Sequence, residues 1–548
     1  MTRLLPPIPG GDLLATKLDA AATEVRAVGI ARRAGLIGGE SPRGLVTTFV
    51  DMSRLGAPAA ALQKAARRDP DRASVIDELG VMSYRELDEA ANAVANHWRS
   101  LGFEAGDGVA ILARNHRWFV VAFFAASKLG ARILMLNTDF AGPQVREVAS
   151  REGTDLLVHD EEYGQFLDGV DPRFGRFLAW SDSDGKDTLA SVAAGGNTAR
   201  PPAPATHAKI VVLTSGTTGT PKGAPRAEPR GITPVAALLE RAPFRHGDRV
   251  ENCAPMFHSL GLAFMLLTVA LAGTLIVRRR FDPDVVLGSI ESNQSRGMVM
   301  VPVMLARLLD ALDHAKVKPD LDSLEVVLLG GSQLGGELAE RGLEGLGPVI
   351  HNLYGSTEVA YATIATPEDL AASPATVGRP VLGTKVRILD ESGREARQGE
   401  VGRIFVRNSL PFDGYTGGGT KEVIDGCMST GDVGHFDENG RLFVDGRDDE
   451  MIVSGGENVF PREIEELLEH VEGVVEVAVI GVPDDKWGQR LRAFVVCEDG
   501  AKLTAEGLQD HVREHLARFK VPRDVVFIDT LPRNATGKIL KRVLKDLE

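Results

Sequence analysis

Cysteine is scarce in this chain: 548 residues contain three, Cys253, Cys427 and Cys497, far apart and in no C-x-x-C arrangement. That spacing gives no disulfide framework or cysteine zinc site and fits a reducing, cytoplasmic setting. Excess positive charge is absent too, the formal net charge being −14. A nucleic-acid partner would need a basic face to neutralise phosphates, so none is expected. Nucleotide substrates stay open, because a few local cations and backbone N–H groups suffice for them. The opening residues, MTRLLPPIPGGD, lack the apolar core of a signal peptide. Only Leu260 to Val277 invites a membrane reading, and Gly273 splits it into a helix and a short β-branched strand, TLIV. A buried helix followed by a buried strand is the expectation there.

What is present is ordinary for a large globular protein: 43% hydrophobic and 25% charged residues. The length suggests three or four structural units at roughly 150 residues each. Residues 11–35 are Ala-rich and moderately amphipathic, with Lys17, Arg26, Arg32 and Arg33. Such a helix can lie on a membrane surface. Asp19, Glu24 and a weak apolar stripe favour packing on the body of the protein. Peripheral membrane contact is left open, as is the choice between monomer and homodimer.

From Met82 onward strands and helices alternate. Ser83 and Glu86 form a capping-box pattern ahead of a helix. GVAILAR reads as a strand, WFVVAFFAASKLGA as a buried helix and ARILMLN as a strand. Alternation of this kind predicts a parallel sheet covered on both faces. Residues 181–206, rich in Ser, Gly, Ala and Pro, read as a surface connection. A second α/β region comes next, with VVLTSG, VENCAP, TLIV, MVMVP and EVVLLGG as strands. Past about Ala375 come KVRILD, GRIFV and RLFVDG, a small β-rich module. VVEVAVIGV, LRAFVV and VVFID, with helices between them, suggest a separate α+β unit. The predicted fold class is α/β: two α/β subdomains and a β-rich module in a large domain, plus a mobile α+β C-terminal domain. The expected divisions are an extension over 1–60, a large domain over 61–447 and a small domain over 448–548.

The strongest local chemical signal is TSGTTGTPKG, residues 214–223, directly after the strand KIVVL. Glycines and small hydroxyl residues let the backbone turn tightly and aim N–H groups at a phosphate. Lys222 adds a point charge. Pro221 stands where a Walker loop requires glycine, so this is a different phosphate loop.

Five further stretches occur in order: APMFHSLGLA at 254–263, YGSTE at 354–358, STGD at 429–432, GRDDEMIVSGGENVFPREIE at 446–465 and PRNATGKILKR at 532–542. Together with the phosphate loop they closely resemble the adenylate-forming superfamily of acyl-CoA synthetases, peptide-synthetase adenylation domains and firefly luciferase. The resemblance runs from about residue 60 to the end and is closest to bacterial fatty-acyl-CoA synthetases. It implies ATP-dependent activation of a carboxylic acid, followed by transfer to coenzyme A. The alternative is an acyl-AMP ligase serving a carrier protein, but no extra insertion of the kind such relatives carry is evident.

The resemblance also implies roles. Thr214, Ser215, Gly216, Thr217, Thr218, Gly219 and Lys222 would hold the ATP phosphates. Gly330, Gly331 and Ser332 would pass along the adenine, where small residues permit close approach. Tyr354 offers an aromatic face to the base; Gly355, Ser356 and Thr357 complete that turn. Glu358 is a hard oxygen ligand suited to Mg²⁺. Asp432 would accept the ribose hydroxyls, with Arg447 as a second ribose contact. Lys538 resembles the lysine that bridges the attacking carboxylate and the α-phosphate, where charge builds up. His258, Gly261, Val301, Met304 and Ala360 would line an acyl pocket, His258 as a lining or gating group. Asp449 would be the hinge between two half-reactions, and Gly455 and Gly456 would leave room for the pantetheine arm. The departures are modest: Glu450 after the hinge, Glu457 where some relatives carry Arg, Cys427 where Trp is usual, and a short GYTGGGTKEVIDG connection.

Overall fold

The computed structural model describes residues 11–548 except 184–186, 214–221, 227–230, 391, 411, 449–451, 455–456, 485–487, 499, 535–536 and 548; the side chains of 11–20, 226, 453–454, 457–458 and 488 are not described either. Four sheets organise the described residues. The largest has nine strands. Its centre is parallel and runs Ile350–Tyr354, Val326–Leu329, Gly297–Met300, Arg249–Asn252, Thr274–Ile276, Ala73–Asp77, with antiparallel strands at both edges. A six-stranded sheet runs Arg176–Trp180, Leu156–Asp160, Gly108–Leu112, Arg132–Met135, Lys209–Leu213, Gly223–Arg226, with only the last strand antiparallel. The central parallel strands Gly108–Leu112 and Val326–Leu329 are short apolar runs buried on both faces, as the alternation with helices predicts.

The helices Tyr84–Ser100 and Arg117–Lys128 share one core with strands of both large sheets. Ser83 and Glu86 form the predicted capping box at the first helix. His116 caps the second, its Nδ1 accepting from the Trp118 amide at 3.1 Å. Trp98, Phe119, Phe123 and Phe124 are fully enclosed. The apolar run 260–277 folds as helix Ser259–Ala270 and strand Thr274–Ile276, with the break at Gly273. No helix among the described residues is long and apolar enough to cross a membrane.

Three helices precede this body: α1 (Gly11–Arg33), α2 (Pro42–Leu55) and α3 (Ala57–Arg68). In α1, Ala27 and Ile30 pack with Ala236 and Leu239 of the helix Thr233–Arg241. Thr233 donates to Glu24 at 2.8 Å across the same seam. The stretch read as a connection at 181–206 contains a short helix, Leu189–Gly195, whose Leu189 is buried in the main core. Asn96 donates to the carbonyls of Asn197 and Ala199 and fastens the chain beyond that helix. One leucine in a run of small residues was too thin a periodic signal to show this helix.

The β-rich module is an antiparallel sheet of Lys385–Leu389, Gly402–Arg407, Val423–Ile424, Cys427–Phe436 and Leu442–Arg447. Cys427 is buried there with Leu389 and Phe405. The fourth sheet pairs Val474–Asp484 with Gly488–Cys497, adds Asp524–Phe527 in parallel, and packs its core against helices Pro461–Glu469 and Ala505–His515.

Candidate active site

The site begins with strand register. Antiparallel pairing of Cys427–Phe436 with Leu442–Arg447 sets Arg447 directly opposite Asp432. Arg447 Nη1 donates to Asp432 Oδ1 at 3.1 Å. Tyr354, at the end of its parallel strand, donates its hydroxyl to Asp432 Oδ2 at 2.6 Å and lies 3.2 Å from Thr430 Oγ1. Three residues predicted from separate motifs therefore meet at one carboxylate. Burial pushes the Asp432 pKa up, against the pull of Arg447, Tyr354 and Lys538. Burial also holds the Tyr354 phenol well above its usual range, so it stays a donor. Tyr354 is thus more than a stacking face: its hydroxyl orients the carboxylate expected to receive the ribose.

The turn after Tyr354 is tight. A Cβ on Gly355 would stand 2.2 Å from the Ala360 carbonyl, so only glycine fits. Ala360 holds a left-handed φ of 62°, and its amide donates to the Ser356 carbonyl at 2.8 Å. Ser356 Oγ accepts from the amides of Glu358 and Val359 at 3.3 and 3.4 Å. Thr357 is half-buried in the same turn. Glu358 accepts a hydrogen bond from the Tyr415 hydroxyl. Lys222 Nζ lies 5.4 Å from the centre of the Tyr415 ring, within cation–π range.

Tyr415 thus joins the candidate metal ligand to the lysine that follows the phosphate loop, a role the sequence reading missed. Its neighbour Thr416 donates to Glu152 at 2.6 Å and accepts from the Gly223 amide at 3.0 Å. The short GYTGGGT connection therefore braces the base of the loop. Glycines and a lone tyrosine signal a turn, and partners 57 and 193 residues away leave no local trace. Thr214, Ser215, Gly216, Thr217, Thr218 and Gly219 lie outside the described residues, as do Asp449, Glu450, Gly455 and Gly456.

Lys538 comes from the C-terminal unit. Its amide donates to Asn534 Oδ1 at 2.9 Å, and Gly537 turns with φ 76°. Gly537 packs so closely on the helix Pro302–His314 that an added Cβ would meet Val303 Cγ1 at 2.6 Å. The loop is therefore docked on the large unit, near enough for the Lys538 charge to act on Asp432.

On the other side, His258 opens the helix Ser259–Ala270. Its Nε2 is buried without a hydrogen-bond partner among the described residues. Burial pushes its pKa down to about 4, which keeps the imidazole neutral near pH 7. Leu260, Val301, Val303, Met304 and Leu353 share one apolar cluster. Gly330 backs onto the Leu353 carbonyl, and Gly331, at φ 87°, leads to a half-buried Ser332. Gly261 packs backbone on backbone: the space of its missing Cβ is taken by the carbonyls of Ala254 and Pro255, at 2.6 and 2.4 Å.

Lys222 beside the edge strand of a largely parallel sheet, a buried carboxylate in the antiparallel module and a lysine delivered by a separate C-terminal unit are the arrangement of an adenylate-forming enzyme. The chain belongs to the AMP-binding enzyme family, whose model matches residues 62–416; the model of the family's C-terminal domain matches 463–538. It is 32% identical to a feruloyl-CoA synthase of an Amycolatopsis species, over 87% of this chain and 96% of that one. It is 30% identical to a long-chain-fatty-acid–CoA ligase of Mycobacterium tuberculosis, over 85% and 93%. The crystal structure of ATP-bound MatB from Rhodopseudomonas palustris superposes with a TM-score of 0.81 at 28% identity, covering 89% and 98%. Among such relatives this chain is an AMP-forming acyl-CoA ligase.

Proposed function

We propose that the acid is a medium- or long-chain fatty acid, activated as acyl-AMP and then transferred to coenzyme A with release of AMP. The observation that carries this reading is the pairing of the docked Lys538 and the Asp432 cluster with an apolar cluster and a neutral His258 beside them. An apolar wall favours an alkyl chain over a second carboxylate.

In the first half-reaction a carboxylate oxygen attacks the α-phosphorus of ATP. The new O–P bond forms as the bond to the pyrophosphate oxygen breaks. Lys538 offsets the negative charge that gathers there. Tyr354, Asp432 and Arg447 hold the nucleoside in place, and Lys222 faces the leaving phosphates. Glu358, an oxygen donor oriented by Tyr415, fits a Mg²⁺ site; one carboxylate plus substrate phosphates is an ordinary ligand set for that ion. When bound, Mg²⁺ neutralises phosphate charge. In the second half-reaction the thiol sulfur attacks the acyl carbonyl, AMP leaves and the thiol proton passes to solvent. A neutral His258 is not required as a base for either step. Removal of Lys538 between the steps, by rotation about Asp449, would admit the thiol.

Pyrophosphate release measured across fatty acids of graded length and aryl acids, with and without coenzyme A, tests the reading. The expected result is a maximum on medium or long alkyl acids and stoichiometric acyl-CoA. A preference for aryl acids would overturn the acid class. Accumulation of acyl-AMP with no coenzyme A consumed would favour the carrier-protein alternative.

A further inference from the structure

Helix α2 is turned the opposite way to a helix that packs on its own protein. Leu45, Val46, Phe49, Val50 and Met52 are all exposed, Phe49 at 75% and Val46 at 64%. Spaced three and four residues apart, they share one face. The opposite face holds the helix to the body through Leu55 and Asp51, which pairs with Arg67 of α3 and with Arg200. A contiguous exposed apolar face of this kind marks an interaction surface. The shared family fold does not require it, because the family match begins at residue 62.

The charges around this face are sorted by sign. Both acidic groups of the segment are turned away: Asp51 is buried in its ion pairs and Glu40 accepts from Thr48. Arg43 and Arg54 are exposed beside the apolar face, and no acidic side chain pairs with either among the described residues. Residues 11–68 hold nine Lys and Arg against five Asp and Glu, whereas the whole chain has 62 against 76. The extension is therefore basic on an acidic protein.

We propose that α2 docks this protein onto an anionic lipid surface. Leu45, Val46 and Phe49 enter the headgroup–acyl boundary, and Arg43 and Arg54 meet lipid phosphates. Apolar side chains flanked by arginine are what an interfacial helix requires, and charge complementarity favours this occupant over a symmetric contact with a second copy, in which the arginines of two like faces would meet.

Flotation of the full chain with vesicles tests this without reference to the acid it activates. The protein should float with vesicles of phosphatidylcholine and phosphatidylglycerol, float less with phosphatidylcholine alone, and be released by salt. Val46→Glu with Phe49→Glu should cut the bound fraction about tenfold or more at unchanged melting temperature, since both side chains already face water. Arg43→Gln with Arg54→Gln should remove the preference for the anionic lipid. Failure of the unaltered chain to float would overturn the proposal, as would equal binding by the glutamate variant. Absence of flotation together with a dimer that the glutamate variant splits would assign the face to self-association instead.

Discussion

The two sides of the proposed catalytic site are built differently. The ribose side is cross-braced: Asp432 sits in a sheet, receives Tyr354 and Arg447 from two other strands, and is nearly enclosed. The Lys538 side depends on one loop. That loop is held by Asn534 within its own unit and touches the large unit where Gly537 lies on Val303. The difference matches the chemistry proposed for each. A nucleotide held through both half-reactions calls for a fixed anchor, whereas a cation used only in the first must be able to leave.

The strongest challenge to this contrast is at Lys538. Lys538→Ala should lower acyl-CoA synthesis by about 10²–10³-fold, the scale for removing one well-placed charge stabiliser. Next comes Asp432→Asn, which keeps the shape but removes the charge facing Arg447. It should slow both half-reactions by roughly tenfold or more, because the nucleotide is bound in both. Single-turnover measurement of each step decides; loss in only one would mean that the two sides are less distinct than their geometry.

Gly537→Ala should have a smaller effect, about tenfold on adenylation alone. An alanine there is strained at positive φ and pushes on Val303, which shifts the loop without removing the lysine. Val303→Ala in the same protein should recover part of the loss. No recovery would place the contact elsewhere.

The smallest effect concerns pH and His258. Its folded pKa of about 4 lies below the ordinary 6.5, so the folded state binds fewer protons than the unfolded one. The resulting stability is present above pH 6.5 and is lost as pH falls through 6.5 toward 4. His258→Gln should therefore lose less than the wild type between neutral pH and mildly acidic pH, by about 1 kcal/mol after allowance for partial solvent access. Denaturant midpoints at the two pH values measure it; parallel shifts would show that His258 is protonated in the fold.

Much of the architecture was legible because its signals are local. Short apolar runs gave the parallel strands, and Ser83 with Glu86 gave a helix start. Gly273 divided an apolar run that could otherwise have passed for a span. Motifs single out Tyr354, Asp432, Arg447 and Lys538; the structure joins the first three by hydrogen bonds and brings the Lys538 charge to bear on Asp432. What escaped depended on distant partners. Tyr415 is significant only because Glu358 and Lys222 fold against it. Gly261 serves backbone packing, which no pattern of side chains reveals. The periodicity of α2 shows an apolar face but cannot say that the body of the protein lies behind the other one.

The most direct test separates the half-reactions in Lys538→Ala. Pyrophosphate release in a single turnover reports adenylation, and conversion of supplied acyl-AMP with coenzyme A reports thioester formation. The account predicts loss of the first by about 10²–10³-fold with the second near the wild-type rate. Equal loss of both steps would contradict it, because Lys538 would then be part of the fixed site and not the removable half.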